Sequence, residues 1–497
     1  MAPPDSELLC HDLPTRPQPE IGKILVTGAT GYIGGRLVPE LVARGYRVRV
    51  MVRAASPEHR QRWPDAEIVV ADALEPDTLA LALEGVHAAY YLIHSLLLGR
   101  KEFESRDIQA AENFRKAAEK NRVQRIIYLG GLGDMESPLS PHLRSRMKVA
   151  QELERGSVPT TILRSAIIIG SGSASYEIIK HLVLNLPILL APSWTETRCQ
   201  PIAIRDVVKY LVGVLEISAT TGRSYDIGGR DVLTYKEMLK ILAELLGKKR
   251  IFVPCPFCNN IPVFAYLTSL VTPVPAQMTW CLMEGLTNEV ICQRADIKQV
   301  LPFQPLGYRE ALVRAMSREE QDKVHTRWSD AYPPAHELAM QLREVRASIR
   351  FKTAYSLLTE KSASSLFRSV CNIGGDKGWF YTNLLWWLRG AVDRLLMGVG
   401  TSRGRRSSSS LRVNDVIDFW RVEDLRQDEL LLLRAEMKLP GMAWLQFDVD
   451  KEESGNRLSV SAFFQPRGLF GKAYWYLFLP FHFIIFRGLI KQIEKVS

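Results

Sequence analysis

Lys23–Gly35, KILVTGATGYIGG, is the stretch whose reading decides the fold. The apolar run Ile24–Val26 leads straight into glycines at 28, 31 and 34, and Arg36–Arg44 then carries a helical apolar pattern. The order is strand, tight turn, helix. Glycine permits a left-handed turn and close backbone approach, and a helix N-terminus offers unpaired N–H donors at the positive end of its dipole. A dinucleotide diphosphate needs that surface, because side chains at the turn would hold the phosphates away. Gly28, Thr30, Gly31, Tyr32, Ile33 and Gly34 are therefore the expected diphosphate contacts.

Working outward, strand and helix patterns alternate from Gly22 onward, which predicts a doubly wound parallel sheet of the Rossmann type. The second strand, Tyr46–Val52, ends at Arg53. An acid there would bind a ribose 2′-hydroxyl and repel a 2′-phosphate; a guanidinium does the reverse. NADP(H) is thus expected in preference to NAD, the other reading of Arg53 being a solvated loop arginine. The third strand, Ala66–Ala71, ends at Asp72 and Ala73, and the fourth, Ala88–Ile93, brings Leu92, His94 and Ser95 to the cofactor edge of the sheet. His94 is a catalytic or cofactor candidate, with a structural histidine as the alternative. A helix over Glu102–Asn121 and a strand over Arg125–Leu129 lead to the glycine-rich Gly130–Gly133.

The spacing TGxxGxxG, Thr27–Gly34, resembles the extended and atypical short-chain dehydrogenase/reductases, in particular the branch related to NmrA-type regulators and isoflavone reductase-like proteins. The resemblance extends over roughly the first three hundred residues. It implies that Asp72 faces the adenine amino group, whereas the local sequence also suits a turn or capping aspartate ahead of Glu75 and Pro76. Active short-chain reductases place a Ser or Thr after the fifth strand and a Tyr four residues before a Lys. The tyrosine donates to the substrate carbonyl, and the lysine lowers its pKa and holds the nicotinamide ribose. Here Lys148 matches the lysine, but Arg144 of RSRMK stands at the tyrosine position and Gly130 and Gly131 occupy the hydroxyl's region. The usual acid is absent, leaving Lys148 and His94 as catalytic candidates and a surface lysine as the alternative for Lys148.

Gly170–Ser175, GSGSAS, suits a substrate lip or a flexible loop. Gln200–Leu211 and Tyr225–Leu239 resemble the late strands and substrate-side helices of the extended families, with Asp206 starting or capping a helix rather than acting in catalysis. The first twenty residues read as a Pro-rich flexible tail without a basic apolar leader, and Thr326–Leu338 as a linker. The expected organisation is a tail over 1–20, a nucleotide-binding domain over 21–315, a linker over 316–344 and a second domain over 345–497.

In that second domain aromatics crowd Gly378–Leu396, a Gly/Arg/Ser loop spans Val399–Ser410, and alternating runs follow at Val416–Val422, Leu430–Leu439, Ala443–Val449 and Leu458–Gln465. An apolar helix from about Lys472 to Lys495 closes the chain. GWFYTNLLWWLRG, MKLPGMAWLQF and FFQPRGLFGKAYWY resemble a bacterial domain of unknown function, an α+β arrangement similar to the helix-grip folds of the START and polyketide-cyclase-like group. That resemblance implies an apolar cavity bordered by Trp386, Trp387, Trp444 or Trp475 that takes a small hydrophobic ligand, the alternative being plain core. Arg403, Arg405 and Arg406 read as a solvated basic loop, with anionic lipid or phosphate binding as the second reading. Ala473–Phe486 is too short between Lys472 and Arg487 to cross a ~30 Å hydrocarbon layer, so a buried or interfacial helix is expected.

The 497 residues carry a net charge of +10, with 46% hydrophobic and 24% charged residues, values of an ordinary globular chain. Neither a helix-turn-helix nor a zinc-finger pattern supports nucleic-acid binding. Cys255 and Cys258 lack the second pair or nearby histidines of a metal site, so no metal is expected and reduced thiols are the default. The sequence reads as an NADP(H)-binding oxidoreductase-like protein acting on a hydrophobic substrate, cytoplasmic, with peripheral membrane contact as the second reading of its location. The competing readings are a non-catalytic NADP(H)-dependent sensor or assembly factor, and a lipid-binding protein.

Overall fold

A computed structural model describes residues 8–54, 57–94, 103–133, 139–255, 258–294, 296–320, 326–331, 342, 349, 351–401, 403–407 and 410–497. Tail residues 1–7, Ser95 and most of the expected linker lie outside them. The chain divides into two compact units, residues 1–271 with 277–334, and residues 272–276 with 335–497.

In the first unit seven strands form one sheet: β1 (Lys23–Val26), β2 (Arg47–Val52), β3 (Glu67–Val70), β4 (Val86–Tyr91), β5 (Arg125–Gly131), β6 (Thr160–Ser165) and β7 (Ser224–Ile227). Their order is β7-β6-β5-β4-β1-β2-β3, every pairing parallel. The strands are apolar runs because helices cover both faces. Ile24, Val50, Ala88 and Ile127 face one core, while Leu25, Met51, Ala89 and Ile126 face the other. The helices that matter for the site are α1 (Gly34–Ala43), α2 (Phe103–Lys120), α3 (Pro141–Glu154), α4 (Ala174–Asn185) and α5 (Ile204–Glu216). Phe114 and Ala111 of α2 are fully buried, as the periodicity over 102–121 anticipates. Chain order reverses between β1 and β4, which opens a crevice at the C-terminal ends of those strands.

Three expectations for this unit need correction. Residues 8–20 are not a flexible tail. Leu9, Cys10 and Leu13 are buried, and the amides of Leu9 and Cys10 donate to the Glu40 carboxylate at 2.6 and 3.0 Å. Glu40 is a buried acid on α1 that needs donors, and Asp12 meets the buried Lys209 at 2.5 Å, so the segment is held by charge satisfaction as well as by apolar contact. Residues 326–331 are no linker either, since they pack on the glycine loop as described below. Cys255 and Cys258 are joined as a disulfide rather than standing as free thiols. Asp206, by contrast, sits in the first turn of α5 as expected, buried and accepting from the Leu306 amide at 2.7 Å.

The second unit is a six-stranded antiparallel sheet of β8 (Phe351–Thr359), β9 (Val416–Ile417), β10 (Trp420–Arg426), β11 (Leu430–Ala435), β12 (Gly441–Glu452) and β13 (Gly455–Pro466), in the order β8-β13-β12-β11-β10-β9. Among its described helices are α6 (Ala363–Cys371), α7 (Asn383–Leu395) and α8 (Gly468–Val496). The long α8 lies on β13 and β8, with Trp475 stacked on Phe464 at 5.7 Å and Phe486 against Tyr355 at 6.4 Å. Its 29 residues contain the closing helix expected over about Lys472 to Lys495. By length and composition alone it could cross a bilayer.

The tryptophans expected to border a cavity divide. Trp444, Trp475 and Trp386 are core residues and Trp387 is exposed; Trp386 stacks on Trp379 at 4.3 Å and Trp444 donates to Glu423 at 2.9 Å. The basic loop is also not solvated. Arg403 and Arg406 are buried, Arg403 pairs with Glu436 at 2.6 Å and Arg406 with Asp415 at 2.6 Å. Arg405 donates to the carbonyls of Cys371 and Ile373 at 2.7 and 2.8 Å. These arginines tie the loop down by binding acceptors that would otherwise be buried unpaired.

Candidate functional site

Thr27, the first residue after β1, stitches the glycine loop to the end of β4. Its amide and hydroxyl both donate to Tyr90 O at 3.0 Å, and its Oγ1 accepts from the Leu92 amide at 3.0 Å. The loop thus sits where strand order reverses. Its three glycines do different jobs. Gly28 has φ +62°, and a Cβ there would lie 2.5 Å from Leu92 O. A Cβ on Gly34 would lie 2.5 Å from Gly28 O and 2.8 Å from Ala29 Cα, so this glycine lets α1 seat against the turn. Gly31 meets only Gly28 O, at 3.2 Å. Thr30, Gly31, Tyr32 and Ile33 are half-exposed, and the amides of Thr30 and Ile33 have no acceptor among the described residues. The loop therefore fits a dinucleotide diphosphate on its own geometry: bare backbone, available donors and the N-terminus of a ten-residue helix.

Other residues brace the loop, and sequence reasoning missed them. Arg36 is buried, its guanidinium 4.5 Å over the Tyr32 ring, and donates to Ser171 O at 2.8 Å and Thr326 O at 3.2 Å. Thr326 Oγ1 donates to Tyr32 O at 2.9 Å, and the Trp328 amide to Gly172 O at 2.9 Å. Ser171 and Ser173 are buried and Ser173 caps α4, so GSGSAS is a structural joint behind the loop rather than a substrate lip or a flexible loop. Partners 135 and 290 residues away leave no local signal. Arg62 also reaches the first turn of α1, because a Cβ on Gly35 would collide with its guanidinium.

Arg53 is exposed at the end of β2, within the electrostatic influence of Asp72. Asp72 Oδ1 accepts from the Leu74 amide at 2.9 Å, and its own amide donates to Thr78 Oγ1 at 3.0 Å, so this aspartate builds the turn after β3. Ala73 is buried, its carbonyl bound by Asn113 at 3.0 Å.

His94 lies two residues past Leu92. Its Nδ1 is 3.1 Å from Asp107 Oδ2 of α2. With the carboxylate accepting, Nδ1 carries the hydrogen and Nε2 is the ring's acceptor. Nε2 is buried with no partner among the described residues. His142 of α3 stands 5.1 Å away, ring to ring. Burial lowers the pKa of His94 against the opposing pull of Asp107, with the Arg146 charge adding to the lowering. Burial, then His94 and Arg146, lowers that of His142 further. Both imidazoles are neutral bases near pH 7. Lys148 does not join them: it is ion-paired with Glu104 at 2.5 Å, and Arg144 lies 3.9 Å from the same carboxylate. A Cβ on Gly131 would meet Leu143 at 3.0 Å, so an apolar side chain covers the point where a serine or threonine hydroxyl is missing.

Residues 20–290 match the NmrA-like family, and residues 345–489 match DUF2867, a protein family of unknown function. The chain belongs to the NmrA-like family. It is 27% identical over 246 residues to NADH dehydrogenase [ubiquinone] 1 alpha subcomplex subunit 9, mitochondrial, of Arabidopsis thaliana, covering 47% of this chain and 60% of that protein. It is 28% identical over 250 residues to divinyl chlorophyllide a 8-vinyl-reductase, chloroplastic, of Zea mays, covering 47% and 61%. The chain thus spans about three-fifths of the length of these relatives. Among solved structures, triphenylmethane reductase of Citrobacter sp. complexed with NADP(H) aligns with a TM-score of 0.49 at 20% identity, over 59% of this chain and 99% of that one. As an NmrA-like protein the chain has an NAD(P)-binding, oxidoreductase-like first unit.

Proposed function

We propose that this NmrA-like protein is an NADP(H)-dependent oxidoreductase for an apolar substrate, in which His94, oriented by Asp107, handles the proton that a tyrosine handles in active short-chain reductases. One observation carries this reading: a half-buried imidazole with a buried Nε2, fixed through Nδ1 to a carboxylate at 3.1 Å, stands two residues from the carbonyl that abuts Gly28. The glycine loop would hold the diphosphate, and Arg53, with no acid at the end of β2, favours a 2′-phosphate. When bound, the nicotinamide supplies or receives a hydride. His94 then accepts a proton at Nε2 from a substrate hydroxyl in the oxidative direction, or delivers one from Nε2 in the reductive direction and is reprotonated from solvent. Asp107 stabilises the imidazolium in either case. Leu143 over Gly131 favours an apolar substrate.

The test is NADPH oxidation and NADP⁺ reduction over a panel of apolar carbonyl compounds and alcohols. His94→Asn is expected to lower kcat by roughly 10²- to 10⁴-fold while leaving NADPH affinity unchanged. Full turnover by His94→Asn would refute the assignment. A second reading, a non-catalytic NADP(H)-dependent sensor or assembly factor, is favoured by the Glu104 pair that occupies Lys148. It expects NADPH to raise thermal stability while no substrate oxidises the cofactor.

A further inference from the structure

We propose that α7 and α8 form one apolar face by which the second unit lies on an anionic phospholipid bilayer, in the plane of the interface. The proposal rests on exposure, placement and charge. On α7, Leu384 is 72% and Trp387 62% exposed; on α8, Leu469 is 82% and Leu477 67% exposed. Leu388 and Ile484 are also more than half exposed. Leu384, Trp387 and Leu388 share a helix face by their spacing of three and four, and Leu469, Leu477 and Ile484 share another by spacings of eight and seven. Scattered exposed leucines are ordinary, but two adjoining helices that both turn large apolar side chains outward are not.

The two helices run side by side and antiparallel. Tyr381, just before α7, packs against Gly488 near the end of α8. At the opposite end the turn 438–440 touches both. The Lys438 amide donates to Asp393 of α7 at 2.7 Å, and Arg389 of α7 donates to Lys438 O at 2.8 Å. Pro440 O accepts from the Arg467 amide at 2.8 Å and abuts Gly471 of α8. The face of α8 that carries Trp475, Phe486, Leu489 and Ile493 is buried, with Trp475 and Phe486 packed on strands β13 and β8. A helix held along its length by a sheet cannot thread a bilayer, so its outer face lies along the surface.

Charge selects the occupant. Lys438, Lys472, Arg487 and Lys491 are exposed on or beside the two helices. Of the acids on α7 and α8, Asp393 is buried and Glu494 is half-buried and bonded to Thr359 at 3.1 Å; none is exposed. An apolar face with an aromatic anchor, a basic margin and no acid fits an anionic lipid headgroup layer. A second copy would bring the same basic margin against itself.

The full chain is tested by co-sedimentation with phosphatidylcholine vesicles, with and without phosphatidylglycerol. Binding is expected to the anionic vesicles, to weaken with salt, and to fall roughly tenfold or more in Trp387→Glu and Leu477→Glu, with melting temperature and NADPH affinity unchanged. Because both side chains are exposed, these variants should fold. Absence of binding, binding indifferent to both substitutions, or equal binding to neutral vesicles overturns the proposal. So does sedimentation velocity that reveals a stable dimer split by Trp387→Glu, which would assign the face to a second copy. Retention in membranes after alkaline carbonate extraction would overturn the in-plane placement.

Discussion

Gly31→Ala and Gly34→Ala separate cofactor binding from folding, because the same methyl meets different surroundings at the two positions. At Gly34 the added Cβ would lie 2.5 Å from Gly28 O and 2.8 Å from Ala29 Cα. Both are backbone atoms of the same loop, so α1 must move away from β1. Overpacking of this kind costs about 1–3 kcal/mol and also spoils the cradle. At Gly31 the nearest atom is Gly28 O at 3.2 Å, a contact that a shift of a few tenths of an ångström relieves. The cost to the free protein should stay under about 1 kcal/mol. The methyl nevertheless projects from the open side of the loop, where a diphosphate would touch the backbone, and loss of that approach should weaken NADPH roughly 10- to 100-fold, about 1.4–2.7 kcal/mol.

The assay is thermal melting with and without NADPH, together with fluorescence titration. At a cofactor concentration of about 100 Kd, ligand stabilisation of the wild type is about 2.7 kcal/mol. Gly31→Ala should melt like wild type when free and lose about half of the ligand-induced rise or more, whereas Gly34→Ala should melt lower even without ligand. Wild-type NADPH affinity in Gly31→Ala would refute the reasoning, since it would mean that the diphosphate does not rest on this loop.

Arg53→Glu should cut NADPH affinity by tenfold or more while leaving or improving NADH affinity, read by parallel titrations; an unchanged ratio would remove the phosphate argument. In the reductive direction His94 must be protonated, and its pKa lies below the ordinary 6.5. The rate should therefore fall as pH rises through that lowered value, and Asp107→Asn, which removes the charge supporting the imidazolium, should move the fall to still lower pH. In the second unit, burial opposes ionisation of Glu436, but Arg421 and Arg403, then Arg434, outweigh it and hold the pKa at about 2 against an ordinary 4.5. A depressed acid stabilises above its unfolded pKa, so about 3 kcal/mol is present above pH 4.5 and should be lost progressively as pH falls from there toward 2. Glu436→Gln should lower stability at neutral pH by about 3–5 kcal/mol and flatten that acid limb, measured by denaturant titration at each pH.

The amino-acid sequence alone determined what depends on near neighbours. A strand, a glycine turn and the start of a helix within thirteen residues specify the loop, because their periodicities and the conformational freedom of glycine are local properties. The alternation that follows specifies a parallel sheet, and the strands after Val416 were legible because their side chains alternate. The strand at Phe351–Thr359 was not read, since what marks it is its pairing with residues 456–464. Tertiary structure alone decided where charge is satisfied. Glu40 drew residues 9 and 10 out of an apparent tail, Arg36 joined Ser171 and Thr326 behind the loop, and Glu436 and Asp415 buried two arginines that composition assigned to solvent. It also decided the candidate chemistry, by pairing Lys148 with Glu104 and bringing Asp107 and His142 to His94. A buried ionisable group must find its partner wherever the chain passes in space, and sequence spacing carries no record of that distance.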